Sequence, residues 1–224
     1  MTKFKILSTK KLNITNQNLF KASNLDLTQH DFINISTTTF KLPNHNGAWI
    51  FTSKSAVNAV FSSKEKTKCI GKTIYCVGEN TKSLLLKNGQ KVIKMTKNSS
   101  KLSNFIKKNA KNENFVFCCG SIKNKELNTF FKKNNITLTE IPVYKTILNS
   151  IKIKKKFDGI MFFSPSGVKS YLEKNSFDDN SCICIGETTS SYASKFSKNI
   201  ITCDSPSINN VIALTINLFK HESN

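Results

Sequence analysis

Residues 48–57 read Ala48-Trp49-Ile50-Phe51-Thr52-Ser53-Lys54-Ser55-Ala56-Val57. The run Ala48–Phe51 has the composition of a buried strand. It passes through Thr52-Ser53-Lys54-Ser55 into a segment where Ala56, Val57, Ala59, Val60 and Phe61 recur at helical spacing. A strand that turns into a helix through hydroxylated residues is the repeating unit of parallel α/β folds.

The same pattern recurs on both sides. Phe4–Ser8 reads as a strand and Asn16–Ala22 as a short helix. Thr73–Val77 is a strand that opens a helix at Gly78-Glu79-Asn80-Thr81, and that helix stops at Asn88-Gly89. Gln90–Met95 is a strand, Ser99 and Ser100 are expected to cap a helix through Lys108, and Asn114–Cys118 is a further strand. Gly120-Ser121 then leads into a helix near Lys123–Lys133. The pattern restarts at Gly159–Phe163, a strand ending in Ser164-Pro165-Ser166-Gly167, with proline near the helix start where its missing N–H costs nothing. Ser181–Ile185 runs into Gly186-Glu187-Thr188-Thr189. Asn199–Cys203 runs into Asp204-Ser205-Pro206-Ser207 and a last helix to about Lys220.

The two series correspond in order. Ser53-Lys54-Ser55-Ala56-Val57 matches Ser164-Pro165-Ser166-Gly167-Val168, Val77-Gly78-Glu79-Asn80-Thr81 matches Ile185-Gly186-Glu187-Thr188-Thr189, and Ser99-Ser100 stands where Ser205-Pro206 stands later. This ordered set predicts an internal duplication. Two alternating, β-branched stretches, residues 31–40 and 138–147, fit neither series and read as connector strands. The expected fold is α/β: two similar lobes with parallel sheets flanked by helices, joined by a two-stranded β connector. Residues 41–137 form a lobe inserted into the one made by 1–30 and 148–224.

Composition narrows the function classes. With 38% hydrophobic residues and seventeen Phe, the chain is globular, and no apolar run approaches the roughly 20 residues of a membrane span. Its start goes straight into a strand with no signal-peptide pattern, so a cytoplasmic protein is expected. The seven cysteines include no C-x-x-C pair, and His30, His45 and His221 fall at no metal-ligand spacing. They read as small buried hydrophobes, and neither a metal nor a cofactor is expected. The net charge of +20 comes from 34 lysines with no arginine, spread along the chain. A nucleic-acid reader would use arginine forks and interleaved aromatics, so no nucleic-acid partner is expected. A solvated lysine surface and a basic field for an anionic ligand both fit.

In open parallel sheets ligands bind beyond the carboxyl ends of the strands, where all these turns fall. Each turn offers unpaired N–H groups, a hydroxyl and the positive end of a helix, which together suit a carboxylate or phosphate. The candidates are Thr52 and Ser53, Gly78 and Thr81, Gly120 and Ser121, then Ser164, Ser166 and Gly167, and finally Gly186, Thr188, Thr189 and Ser207. Plain helix capping explains any single hydroxyl equally well. Glu79 and Glu187 follow the glycines at equivalent positions and suit a first helical turn. No Walker loop, dinucleotide fingerprint or Ser-His-Asp set can be assembled. The remaining candidate acid is Tyr144, in Ile141-Pro142-Val143-Tyr144-Lys145-Thr146, because a phenol is protonated at neutral pH. An aromatic packed between connector strands also fits this position.

These residues together resemble the uroporphyrinogen-III synthase (HemD) family along essentially the whole chain. The resemblance is carried by Trp49-Ile50-Phe51-Thr52-Ser53, Val77-Gly78-Glu79-x-Thr81, Val143-Tyr144-Lys145-Thr146, Phe163-Ser164-Pro165-Ser166-Gly167-Val168, Ile185-Gly186-Glu187-Thr188-Thr189 and Ser205-Pro206-Ser207. It implies two α/β lobes with the active site between them, no cofactor and the linear tetrapyrrole hydroxymethylbilane as substrate. The reaction closes that chain to uroporphyrinogen III while inverting ring D. By the resemblance Tyr144 matches a tyrosine that assists departure of the hydroxyl. Ser53, Thr81, Ser164, Thr188 and Thr189 match positions that meet substrate. Lys10 stands in place of a usual arginine, as does Lys123 or Lys125, and Ser207 stands where threonine is common. Lysine keeps the charge and loses the bidentate fork. A monomer is expected. A non-enzymatic two-lobed module for anions or nucleic acid is the alternative reading, and it has no need of Tyr144.

Overall fold

Ala48–Phe51 forms a strand with every residue buried, as do Phe115–Gly120 and Gly159–Phe162. Strands apolar on both faces must lie inside a sheet covered on both sides. Such sheets appear in the computed structural model, which describes residues 3–122 and 126–221. In chain order the elements are β1 (Lys5–Ser8), α1 (Ile14–Ala22), β2 (Asp26–Gln29), β3 (Ile33–Thr37), β4 (Ala48–Phe51), α2 (Lys54–Phe61), β5 (Ile74–Val77), α3 (Glu79–Lys87), β6 (Val92–Thr96), α4 (Ser99–Asn109) and β7 (Phe115–Gly120). They continue with α5 (Glu126–Lys133), β8 (Leu138–Leu148), β9 (Gly159–Phe162), α6 (Pro165–Leu172), β10 (Ser181–Cys184), α7 (Glu187–Ala193), β11 (Ile200–Thr202) and α8 (Ile208–His221). A short 3-10 helix spans Lys64–Lys68.

The chain divides into two compact units. One comprises residues up to Asn34 together with those from Ile147 onward, and the other comprises Ile35–Thr146. The first unit carries a five-stranded sheet in the order β11-β10-β9-β1-β2. The other sheet has six strands in the order β3-β8-β7-β4-β5-β6. The pairings β1 with β2 and β9, β10 with β9 and β11, β4 with β5 and β7, β5 with β6, and β7 with β8 are all parallel.

Each sheet is a middle layer. Along β4 and β7, Trp49, Phe51, Val116 and Cys118 face one core with Ala56, Val57 and Val60 of α2 and Leu85 of α3. The alternate residues Ala48, Ile50, Phe115 and Phe117 face a second core with Leu102 and Ile106 of α4 and Leu127 and Phe131 of α5. In the first unit Ile6, Met161 and Ile183 meet Phe20 of α1 and Val211, Ile212 and Phe219 of α8. Leu7, Ile160, Phe162 and Cys182 meet Val168 and Tyr171 of α6 and Ala193 of α7. Each fully buried side chain of this size stabilises its unit by about 1.5–3 kcal/mol before the entropy of ordering it is counted.

All seven cysteines are free and buried within these cores. Burial pushes the thiols of Cys69 and Cys184 up to about 12 and those of Cys76 and Cys182 to about 11, while Cys118 and Cys203 shift in the same direction. All seven pack as hydrophobes, and these six have almost no thiolate character.

Several local expectations change. The segment read as a connector strand, 138–147, is a strand beside β3, and it also extends the sheet, since β8 pairs with β7 from Phe115↔Leu138 to Gly120↔Tyr144. The α4 helix is capped by Asn98, whose side chain accepts the Lys101 N–H at 3.0 Å, and Ser99 and Ser100 lie in its first turn. β2 is a strand that the sequence pattern did not reveal. Lys123 and Lys125 lie outside the described residues.

Candidate active site

Ser53, Gly78, Ser164, Gly186 and Ser207 each stand at the start of a helix that follows a strand's carboxyl end. In the unit formed by Ile35–Thr146, Ser53 caps α2 and its Oγ accepts the Ala56 N–H at 3.2 Å. Thr52 precedes it, half-buried, at the end of β4. Gly78 opens α3 at φ +86°, a backbone conformation that side-chain-bearing residues rarely adopt. Its N–H donates to the Thr96 carbonyl at 2.9 Å and its carbonyl accepts the Thr81 N–H at 3.1 Å. Thr81 is buried, and a Cβ at Gly78 would lie 3.9 Å from the Thr81 hydroxyl. Glu79 lies in the first turn and pairs with Lys82 at 3.5 Å, as a carboxylate at a helix N-terminus should.

Gly120 and Ser121 lie where β7 ends beside Tyr144 of β8. The Ser121 N–H donates to the Tyr144 carbonyl at 2.8 Å, and the Ser121 side chain is exposed. Ser53 Oγ donates to the Tyr144 hydroxyl at 3.1 Å. Tyr144 is half-buried: its ring packs against the core that contains Trp49 and Phe51, while its hydroxyl reaches the α2 cap.

In the other unit Ser164 caps α6. Its Oγ accepts the Gly167 N–H at 3.1 Å and lies 3.1 Å from Ser166 Oγ. Pro165 occupies the first turn as expected. A Cβ at Gly167 would meet Ser164 Oγ at 3.4 Å and Thr9 Oγ1 at 3.7 Å, so the end of β1 adjoins this turn. Thr9, which sequence reasoning passed over, is buried and donates to the Met161 carbonyl at 2.7 Å. Lys10 beside it is exposed, and its carbonyl accepts the Ser8 hydroxyl at 2.5 Å. Gly186 opens α7 with extended backbone, and a Cβ there would meet Pro206 at 3.2 Å. Thr188 is exposed and Thr189 buried, as Thr81 is at the matching position. Ser207 Oγ accepts the Asn210 N–H at 3.0 Å and so caps α8.

The candidates therefore fall into two groups, one in each unit, each at the carboxyl ends of a parallel sheet. Within 35–146 the structure joins Ser53, Gly120, Ser121 and Tyr144 directly. Within the first unit it joins Ser164, Ser166 and Gly167. A large depression of about 990 Å³ in the first unit lies at the opposite, amino ends of the strands, around Lys5, Asp26, Asp158 and Ser181. It touches none of the hydroxylated turns, and helix-terminus chemistry favours the turns for an anion. Among the described residues no three His, Cys, Asp or Glu side chains come together to hold a metal ion. No described helix is long and apolar enough to cross a membrane.

Comparison with known proteins gives this arrangement its family. The chain is similar in fold to uroporphyrinogen-III synthetase from Helicobacter pylori 26695, at 17% identity and TM-score 0.70 over 97% of this chain and 100% of that one. It is also similar to a mutant uroporphyrinogen III synthase from the extremely thermophilic bacterium Thermus thermophilus, at 8% identity and TM-score 0.70 over 98% and 99%. The wild-type form of that protein gives TM-score 0.53 at 9% identity, over 99% of this chain and 100% of that one. No curated protein matches the chain by sequence. The family profile described as "Uroporphyrinogen-III synthase HemD" matches residues 29–213, most of the chain, and the chain belongs to the HemD uroporphyrinogen-III synthase family.

Proposed function

We propose that the chain closes hydroxymethylbilane to uroporphyrinogen III, with loss of water and inversion of ring D, and that Tyr144 is the general acid. The observation that carries the acid assignment is the Ser53–Tyr144 hydrogen bond at 3.1 Å, which holds a phenol at the head of a helix beside the carboxyl end of the sheet. The Tyr144 O–H bond breaks as its proton passes to the substrate hydroxyl. The C–O bond then breaks with its electron pair and water leaves, while the pyrrole nitrogen lone pair makes an azafulvenium cation that keeps its N–H. The substituted α-carbon of ring D attacks the freed methylene to give a spiro intermediate. That intermediate fragments at the old ring-D bond and recloses through the other α-carbon. The proton lost at this last closure restores the phenol, so water is the only by-product.

The hydroxylated turns supply the grip. Helix N-termini with capping hydroxyls suit carboxylates, of which this substrate carries eight. Thr81, Thr188, Thr189, Ser164, Ser166 and Ser207 fit that role, with Lys10 contributing charge. Gly78, Gly167 and Gly186 keep the turns narrow enough for main-chain N–H groups to take part. The formal charge of +20 has the sign that draws a polyanion in. Holding the bilane in one fold accounts for most of the catalysis, with no cofactor. A cytoplasmic monomer completes the reading.

Purified protein incubated with hydroxymethylbilane is expected to give the type III isomer on chromatographic separation. Formation of the type I isomer alone overturns the proposal.

A further inference from the structure

Tyr144 is held by more than one contact. Ser53 Oγ accepts the Ala56 N–H at 3.2 Å and donates to the Tyr144 hydroxyl at 3.1 Å. A serine hydroxyl has one proton to give. With that proton given to the phenol oxygen, the phenol's own proton is free for another acceptor.

The ring has a seat as well. A Cβ on Gly120 would fall 2.7 Å from Tyr144 Cζ, 2.8 Å from Cε2 and 3.0 Å from the hydroxyl. Any other residue there would displace the ring, because real Cβ atoms do not approach so closely. The β7–β8 register also slips at this point, from Cys119↔Pro142 to Gly120↔Tyr144. One extra residue of β8, Val143, is passed over, and Val143 is buried in the core that contains Trp49 and Phe51. A bulge of this kind re-aims a side chain.

We propose that Ser53 and Gly120 are positioning residues for Tyr144. Gly120 leaves room for the ring, the register slip turns Tyr144 onto it, and Ser53 orients the phenol while being hydrogen-bonded by the N-terminus of α2. This rests on the reading of Tyr144 as the acid. As Tyr144 gives up its proton, the electron pair stays on an oxygen that already accepts from Ser53. Ser53 in turn is polarised by a main-chain N–H at the positive end of the helix. The relay Ala56 N–H to Ser53 to Tyr144 thus meets charge where it develops, as preorganised donors do.

The test is steady-state kinetics of Ser53→Ala, Ser53→Thr and Gly120→Ala, each alone and combined with Tyr144→Phe. Ser53→Ala is expected to lower kcat about tenfold, the worth of one hydrogen bond to a charge-bearing oxygen, with KM changed less than about twofold. Ser53→Thr keeps both the cap and the hydroxyl and is expected to recover most of kcat. Gly120→Ala is expected to lower kcat at least as far as Ser53→Ala. Neither loss should recur in the Tyr144→Phe background. A rise in KM at constant kcat would instead make Ser53 a substrate contact, and full additivity with Tyr144→Phe would break the relay. If Tyr144→Phe turns over normally, the acid reading itself falls. The contact is tested without turnover by NMR of protein carrying 13Cζ-labelled tyrosine. The Tyr144 signal, assigned by its loss in Tyr144→Phe, is expected to move in Ser53→Ala, and an unmoved signal overturns the relay.

Discussion

The two units use one design by different chain routes. In the first the chain runs β1, β2, then β9, β10, β11, and the strands lie β2-β1-β9-β10-β11. In the other, with the edge strand β3 beside β8 set aside, the chain runs β4, β5, β6, β7, β8 and the strands lie β8-β7-β4-β5-β6. Matching β4, β5 and β6 to β9, β10 and β11, and β7 and β8 to β1 and β2, gives the same spatial order from a cyclically permuted chain. The capping serines at equivalent places then part company. Ser164 Oγ lies beside Ser166 Oγ, whereas Ser53 Oγ donates to Tyr144. Under the proposed function, a shared cap serves grip in one unit and holds the acid in the other. A second role is thereby added to the repeated turn without altering the turn.

The comparison is most exposed at Tyr144. Tyr144→Phe is expected to lower the rate of type III formation about 100-fold or more, at the low end of what a positioned acid supplies. Ser166→Ala, on the partner of the other cap, is expected to change KM alone. Equal losses of kcat from both would erase the distinction between the units.

The opening glycines separate next. Gly78→Ala is expected to destabilise by about 1–3 kcal/mol, the cost of a side chain in that backbone region, read as a shift in the urea midpoint. Gly186 is extended, so Gly186→Ala meets only Pro206 and is expected to cost less. The reverse order would contradict the backbone assignment.

Removing a cap should weigh on the two units alike. Ser53→Ala and Ser164→Ala are each expected to cost about 1 kcal/mol in the same denaturant series, because each unties one helix N–H. Only the first is expected to slow chemistry.

The smallest effect concerns pH. Glu65 accepts the Leu42 N–H at 2.7 Å and the Lys68 ammonium at 3.0 Å, and these bonds hold its carboxyl below the ordinary range. A lowered folded-state pKa means the stabilisation is present above the unfolded-state value and is lost as pH falls through the folded one. Glu65→Gln should therefore melt below wild type at neutral pH. The gap should close in acid, and a gap independent of pH would refute the ionic clasp.

Much of this was legible in sequence wherever a local rule sufficed. Ala48–Phe51 is apolar throughout because both faces of β4 are covered, and Ser53, Ser164 and Pro165 are the residues a helix start demands. Local rules failed where partners were distant or signals weak. Ser53 and Tyr144 are 91 positions apart, and no spacing announces their bond. Gly120 reads as an ordinary turn glycine until the Tyr144 ring is seen over it. Asn98 competed with two adjacent serines for the same cap, and its side chain won the Lys101 N–H. The strand Asp26–Gln29 is an edge strand with no buried residue, so it lacks the apolar signal that marked its neighbours.

The buried thiols carry a consequence for measurement. Cys69, Cys76 and Cys118 lie in the cores of the 35–146 unit, and Cys182, Cys184 and Cys203 in those of the other. A thiol reagent can reach such sulfurs only when the surrounding structure opens, so the modification rate of each reports the free energy of that opening. The chain thus holds built-in clocks in both halves. Their separate readings would show whether the halves loosen together or one at a time.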